Sequence, residues 1–264
     1  MILRKYVERH YGQAEKRWEQ SSLTYQPVDD EIGNEDGVLI DSYSAEVKAS
    51  AEELLEELES TKESGLYSGE EDAPNRIHYD RHLYLPLIAE ESGSDAEKVS
   101  YTPPALNDGE EKFVRDIKEH FEQDGATLLE EWEVYLLRNQ SRGRGIGFLA
   151  ADEGTQRFFP DFILWLQGDD EQHIIFVEPH GLALEGDPLA NHRVQFHERI
   201  KEYEAELIER TGRDDVSLHS YVISRPDAPE LISRARLDER EEFHEYGVYF
   251  EDDSVGTILS DVLE

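Results

Sequence analysis

The chain has no cysteine among its 264 residues and only one methionine. A disulfide framework, a thiolate metal site and a cysteine nucleophile are therefore excluded. It also lacks any apolar run close to the ~20 residues that a membrane-spanning helix requires. Its first three residues lead directly into charged ones, without the apolar core of a signal peptide. These absences predict a soluble, cytoplasmic protein that does not associate with a membrane.

Basic residues are scarce, because 26 Lys and Arg face 62 Asp and Glu, which gives a net charge of −36. The acids are spread along the whole chain. Such a surface suits multimolar salt, in which self-repulsion is screened over about 3 Å. The composition therefore indicates a halophilic, haloarchaeon-like source, with an acidic mesophilic protein as the alternative. Because every surface of a halophilic protein is acidic, net acidity does not exclude nucleic-acid binding here, and stretches without acids become informative.

Pro103 and Pro104 mark the best domain boundary. Residues 1–102 are predicted to form a mainly helical region. Its two helices, over Leu3–Trp18 and from about Ala45 to Thr61, are inferred from apolar residues at three- and four-residue steps. The aromatic-rich stretch Ile77–Leu87 is expected to be extended.

Residues 103–264 show a different pattern. A helix is predicted from Asp108 to Gln123, with Asp108 as N-cap and Glu111 in the capping-box position. The order of elements predicts an α/β domain with a mixed sheet and helices on its faces. The remaining predicted elements are strands Trp132–Asn139, Ile146–Ala151, Phe158–Leu166 and His173–Glu178, a helix from about Ala190 to Arg210, and strands Leu218–Ser224 and Val248–Phe250.

Two acids stand at the ends of apolar strands. Asp161 follows Pro160 and precedes five apolar residues, and Glu178 ends the run that begins at Ile174. His180 lies two residues after Glu178, so the two side chains share a strand face. Two carboxylates together with the carbonyl of Pro179 form an oxygen-rich ligand set that suits Mg²⁺. The alternative is that both acids are solvated strand-end residues, which are common in so acidic a chain.

Glu110 is a third acid predicted to face the site of Asp161 and Glu178. Glu110 precedes Phe113 by three residues and Ile117 by seven, so it lies on the apolar face of its helix, whereas Glu111 lies on the solvent side. A carboxylate on a buried helix face is costly unless it is paired or metal-bound. The alternative is that the helix N-terminus satisfies Glu110.

The stretch from Val134 to Ala151 contains no acid and three arginines, Arg138, Arg142 and Arg144. Arginine forks suit phosphate, and the neighbouring glycines allow a ligand to approach the backbone. These residues are predicted to bind the backbone of a nucleic acid. A plain polar hairpin loop is the alternative.

The chain resembles the C-terminal PD-(D/E)XK endonuclease region of DEAD/DEAH-box helicases and type III restriction-enzyme Res subunits. The resemblance covers about residues 76–185, and it implies that residues 1–102 are a helical connector between helicase and nuclease regions. It assigns the motif acids to Glu110, Asp161 and Glu178, and it places His180 where the family has lysine. The matching stretches are HLYLPL (82–87), LNDGEEKFVRDI (106–117), LLRNQSRGRGIGF (136–148), FFPDFILWL (158–166) and FVEPHGL (176–182).

The resemblance implies a restriction-endonuclease-like fold and hydrolysis of DNA phosphodiester bonds with one or two Mg²⁺ ions, or Mn²⁺. Asp161, Glu178 and the Pro179 carbonyl would hold metal, Glu110 would hold a second ion or orient water, and His180 would act as a base or stabilise charge. The chain contains no GxxxxGK[ST] pattern, so an ATPase partner is expected in a restriction or defence system. The rival reading is a catalytically inert module that binds nucleic acid or docks on a helicase.

The net charge of −36 predicts that folding depends on salt, because the charge repulsion must be screened. The melting temperature should rise steadily between 0.1 and 3 M KCl in thermal melts followed by circular dichroism. A melting temperature that is independent of salt would contradict the halophilic reading.

Overall fold

The structure is a computed structural model. It describes residues 39, 43–51, 54–56, 58–59, 75–84, 87–90, 97–123, 125, 127–140, 145–150, 156–182, 186–225, 229–252 and 254–263. The predicted helix Leu3–Trp18 and the arginines Arg142 and Arg144 lie outside these residues. Within the described part, no helix is both long and apolar enough to cross a membrane.

Runs of strands are separated by single helices in the described part of the chain. In chain order they are β1 (Ser44–Val47), β2 (Arg76–Ile77), β3 (Leu87–Ile88), β4 (Val99–Thr102), α1 (Asp108–Gln123), β5 (Glu133–Arg138), β6 (Phe148–Ala150), β7 (Gln156–Phe158), β8 (Phe162–Gln167), β9 (Gln172–Glu178), α2 (His192–Thr211), β10 (Val216–Ser224), α3 (Pro229–Ala235), β11 (Val248–Phe250) and α4 (Ser254–Leu263), with short 3-10 helices at Leu128–Glu130, Pro188–Ala190 and Glu241–Tyr246.

Five strands form the main sheet, in the order β11-β10-β9-β8-β5. Strands β9, β10 and β11 are parallel, whereas β8 runs antiparallel to both β9 and β5. The start of β8 therefore lies at the same sheet edge as the ends of β5, β9 and β10. The predicted mixed sheet flanked by helices is confirmed.

Helices cover the two faces of the sheet. Phe162 pairs with Val177, whereas Phe176 pairs with Ile163, so the two phenylalanines point to opposite faces. The Phe162 ring contacts Phe113 of α1, with centroids 5.0 Å apart. On the other face, Phe148 joins Phe176 to Phe196 of α2 through ring contacts of 4.8 Å each. This two-sided burial fixes the register of β8 and β9, because a one-residue slip would exchange the faces.

The predicted start of one helix in the N-terminal region is wrong. The helix expected from about Ala45 is replaced at its start by β1, which pairs antiparallel with β4. Backbone pairing with a distant strand here overrides a local helical pattern. Described residues 54–56 and 58–59 of the same stretch are helical. That residues 1–102 are mainly helical stays a prediction.

The hydrophobic core continues across the predicted boundary at residues 102–103. Ile77 and Leu87 are fully buried in the same cluster as Leu136 of β5. The backbone amide of Leu136 also donates to the carbonyl of Arg81, and that of Leu83 donates to Leu136. The described segment around residue 82 therefore lies along the outer side of β5. The two-domain division itself stays a prediction.

The strand predicted over Phe158–Leu166 is interrupted. β7 ends at Phe158 and pairs with β6, whereas β8 begins at Phe162 and joins the main sheet. Pro160 lacks an amide hydrogen for a strand ladder. The break turns the chain at Pro160 and places Asp161 at the entrance to β8.

The N-cap of α1 is also one residue earlier than predicted. The Asn107 side chain accepts hydrogen bonds from the amides of Gly109 and Glu110, at 3.0 and 3.1 Å. Glu110 in turn accepts from the amide of Asn107, at 2.9 Å. This reciprocal pair is a capping box on Asn107 and Glu110 rather than on Asp108 and Glu111.

Candidate metal centre

The two strand-end acids lie next to each other. Because Phe162 pairs with Val177 in the antiparallel ladder, the next pair along the register is Asp161 with Glu178. The Asp161 carbonyl accepts the amide of Asn139 at the end of β5, at 2.7 Å. Glu178 is buried, with 3% of its surface exposed. The sheet register thus places both carboxylates at one edge.

Glu110 reaches this edge from the first turn of α1. One ligand atom each of Glu110, Asp161 and His180 lie within 4.8 Å of one another, which could hold a metal ion. Glu111 instead pairs with Arg115 along the helix surface, at 2.8 Å. The structure therefore brings Glu110, and not Glu111, to the acids of the strands.

Pro179 approaches α1 from the turn after β9. A methyl group on Gly109 would lie 2.3 Å from the Pro179 carbonyl oxygen, so only glycine allows this approach. The contact seats the first turn of α1 directly on the turn that carries His180. That the Pro179 carbonyl is a metal ligand stays a prediction.

The carboxylates are buried with too little compensation. Burial, and then repulsion from Asp161, raises the pKa of Glu178 to about 9. Burial also raises the pKa of Asp161 and that of Glu110, against the opposing effects of His180 and Arg138 respectively. Asp161 Oδ2 and Glu178 Oε2 have no hydrogen-bond partner among the described residues. Buried, unsatisfied carboxylate oxygens are costly, and a bound cation would remove that cost.

Arg138 does not occupy the surface position predicted for it. It is 7% exposed, and its guanidinium donates to the carbonyls of Pro104 and Ala105. Its Nη2 also lies 3.4 Å from Glu110 Oε2. The assignment of Arg138 to a nucleic-acid backbone is therefore corrected: this arginine supports Glu110 from inside the protein.

The described residues on either side of Arg142 and Arg144 lie beside the acids. The Asn139 side-chain amide donates to the carbonyls of Ile146 and Pro160, and its oxygen accepts the amide of Ile146. Since Asn139 also bonds Asp161 through its backbone, Asn139 and Ile146 are both tied to the turn before β8. The assignment of these two arginines to nucleic acid stays a prediction.

Arg193 is a cation of the site that the sequence reasoning missed. Its Nε lies 3.4 Å from Glu178 Oε2, and its side chain is 31% exposed. It lies in the first turn of α2, after the N-cap Asn191, and this turn, which is described in full, contains no acid. A cation beside the positive end of a helix dipole is unfavourable unless an anion is near. That absence of acids in an acid-rich chain was the available signal.

Comparison of the chain with models of protein families, with curated proteins and with solved structures finds no match. The geometry of the site is therefore the basis for its chemistry. It places carboxylates, one imidazole and one accessible guanidinium at one edge of the sheet. Such a group can hold a divalent cation and place a phosphate beside it.

The raised pKa of Glu178 predicts that Glu178→Gln stabilises the metal-free protein in a pH-dependent way. Between pH 4.5 and about 9, the unfolded chain loses this proton while the folded chain retains it, so wild-type stability falls as pH rises. Glutamine does not titrate. In EDTA at constant salt, the melting temperature of the variant should exceed that of wild type by at least about 4 °C at pH 9.

The difference between the two proteins should vanish at pH 4, where both side chains are neutral. Glu111→Gln, at the partly exposed neighbour of Arg115, is the matched control and should not change the pH dependence. A Glu178→Gln protein that is less stable than wild type at pH 9 would show that the carboxylate is adequately compensated.

The close contact at Gly109 predicts that Gly109→Ala and Gly256→Ala have opposite effects. At Gly109 the new methyl would overlap a backbone oxygen, whereas at Gly256 in α4 the nearest atom is 3.7 Å away. Gly109→Ala should destabilise the protein by about 1–3 kcal/mol. Gly256→Ala should stabilise it by up to about 1 kcal/mol, through helix propensity. Urea denaturation in high salt measures both, and equal effects would contradict the geometry.

Proposed function

We propose that the chain is a divalent-metal-dependent nuclease that hydrolyses phosphodiester bonds, with DNA as its substrate. The observation that carries the proposal is the cluster of ligand atoms of Glu110, Asp161 and His180, which lie within 4.8 Å of one another. Beside it, the buried oxygens Asp161 Oδ2 and Glu178 Oε2 have no hydrogen-bond partner among the described residues. Structural acids at strand ends are usually solvated or paired. Acids held together in this way, at a cost to stability, are typical of functional sites.

The donor set fits a divalent cation such as Mg²⁺ or Mn²⁺. Asp161, Glu178 and Glu110 supply negatively charged oxygens from three different elements, so a bound ion would be held from several directions. When bound, a divalent ion polarises a phosphoryl oxygen and lowers the pKa of a bound water. Arg138 keeps Glu110 in place through the contact described above.

Arg193 supports a phosphate-containing substrate. Its guanidinium is partly exposed beside the buried Glu178, where it can donate to a phosphate oxygen adjoining the metal. The acid-free stretch that contains Arg142 and Arg144 is tied to the same edge through Asn139. These cations would position the nucleic acid on an otherwise repulsive surface.

The choice of DNA and of a helicase partner depends on the resemblance to helicase-associated endonuclease regions. Under it, the centre would cut DNA presented by an ATPase encoded in the same or another chain. The rival, an inert module that only binds nucleic acid or docks on a helicase, does not require acids arranged for a metal.

Plasmid cleavage in high-salt buffer tests the proposal, with Glu110→Gln compared with Glu111→Gln. Wild type should cut supercoiled plasmid only with Mg²⁺ or Mn²⁺ and should be blocked by EDTA. Glu110→Gln retains an acceptor for the Asn107 amide but loses a metal ligand, and activity should fall by ~10- to 100-fold. Glu111→Gln should retain activity.

Equal losses in the two variants would show that Glu110 has no special role. Absence of cleavage by wild type with either metal and over the whole range of salt would favour the inert module.

A further inference from the structure

The position of His180 beside Asp161 bears on which metal ion the proposed centre would bind. Its Nδ1 lies 3.1 Å from Asp161 Oδ2, yet Asp161 Oδ2 has no hydrogen-bond partner. The two atoms are therefore close without the alignment of a hydrogen bond. Two ligands that bind one ion at right angles, each at ~2.0–2.1 Å, are about 3 Å apart. The spacing is that of two ligands of one ion.

Glu110 contributes the third ligand atom, within 4.8 Å of the other two. Glu178 is nearly completely buried beside this group, and its Oε2 accepts no hydrogen bond from the described residues, although Arg193 Nε lies 3.4 Å away. This second observation distinguishes the group from a chance cluster of surface acids. A cation there would be surrounded by oxygens on several sides and by one imidazole nitrogen.

We infer that His180 is a metal ligand through Nδ1 and that the centre consequently selects Mn²⁺ over Mg²⁺. Mg²⁺ prefers an all-oxygen environment, whereas an imidazole ligand favours transition-metal ions. Among the divalent first-row transition metals, Mn²⁺ binds most weakly to sites of nitrogen and oxygen ligands, and the later metals bind more tightly. The inference rests on the proposed metal centre of the nuclease, and it makes His180 a ligand rather than a general base.

The ligand role determines the tautomer of His180. Binding through Nδ1 requires the lone pair there, so the proton resides on Nε2. The residue is exposed, so water can accept from Nε2–H. Bound metal therefore prevents both ring nitrogens from accepting a proton from the attacking water.

Pulsed EPR of Mn²⁺ bound to the wild-type chain, without nucleic acid, tests the inference directly. Coupling of the manganese electron spin to an imidazole ¹⁴N is expected and should disappear in His180→Asn.

By titration calorimetry in KCl buffer, wild type should bind Mn²⁺ at least ~10-fold more tightly than Mg²⁺. His180→Asn should reduce that ratio by ~10-fold, because the amide oxygen is a hard ligand. His244→Asn, at a histidine that stacks on Tyr249, is the matched control and should change neither measurement.

Bound Mn²⁺ without nitrogen coupling would overturn the inference and leave a metal-dependent nuclease intact. Failure of the wild type to bind either ion at millimolar concentration would overturn both. Nitrogen-coupled Mn²⁺ without DNA cleavage would support the ligand assignment and remove the nuclease proposal. The wild-type spectrum shows whether a nitrogen ligand is bound to Mn²⁺ even if the variant does not fold.

Discussion

The juxtaposition of the partly buried Asp161 and the buried Glu178 is the constraint on which the candidate centre depends. Antiparallel pairing of β8 with β9 brings the two acids together at a sheet edge. Burial and their repulsion make the ionised forms unfavourable, which raises the pKa of Glu178 to about 9. His180 and Arg193 lie 3.1 and 3.4 Å from these carboxylates but form no hydrogen bond with them, so they offset the cost of burial only in part. Retaining them costs stability, and a divalent cation is the natural compensation.

Support for the third acid comes from residues distant in sequence. Arg138 contacts Glu110 through its guanidinium. The backbone of Arg138 is held in turn by two residues of the earlier segment. Its amide donates to His82 Nε2, and its carbonyl accepts from the Tyr84 hydroxyl. His82 is neutral, since burial lowers its pKa to about 3, and its Nδ1 donates to the Tyr84 carbonyl. The segment before the predicted boundary is therefore part of the support for Glu110 in the candidate metal centre.

The positions of two arginines in the fold differ from those that their sequence neighbourhoods indicate. Arg138, from the acid-free stretch, lies inside the protein, whereas Arg193, from an unremarkable helix start, is partly exposed beside Glu178. In a chain of net charge −36, each buried or site-facing arginine reduces a local excess of negative charge. The location of a cation, and not its sequence neighbourhood, decides whether it can meet a phosphate.

The mixed sheet, the bounds of α1 and the position of Glu110 on its inner face could be predicted from the sequence, because periodicity and chain order encode local structure and burial. The pairing of β1 with β4, the burial of Arg138 and the approach of Arg193 to Glu178 could not be predicted. These depend on contacts between residues far apart in the chain, which no local pattern records. The ligand-like spacing of His180 and Asp161 is of the same kind, since a strand pairing and a turn set it together.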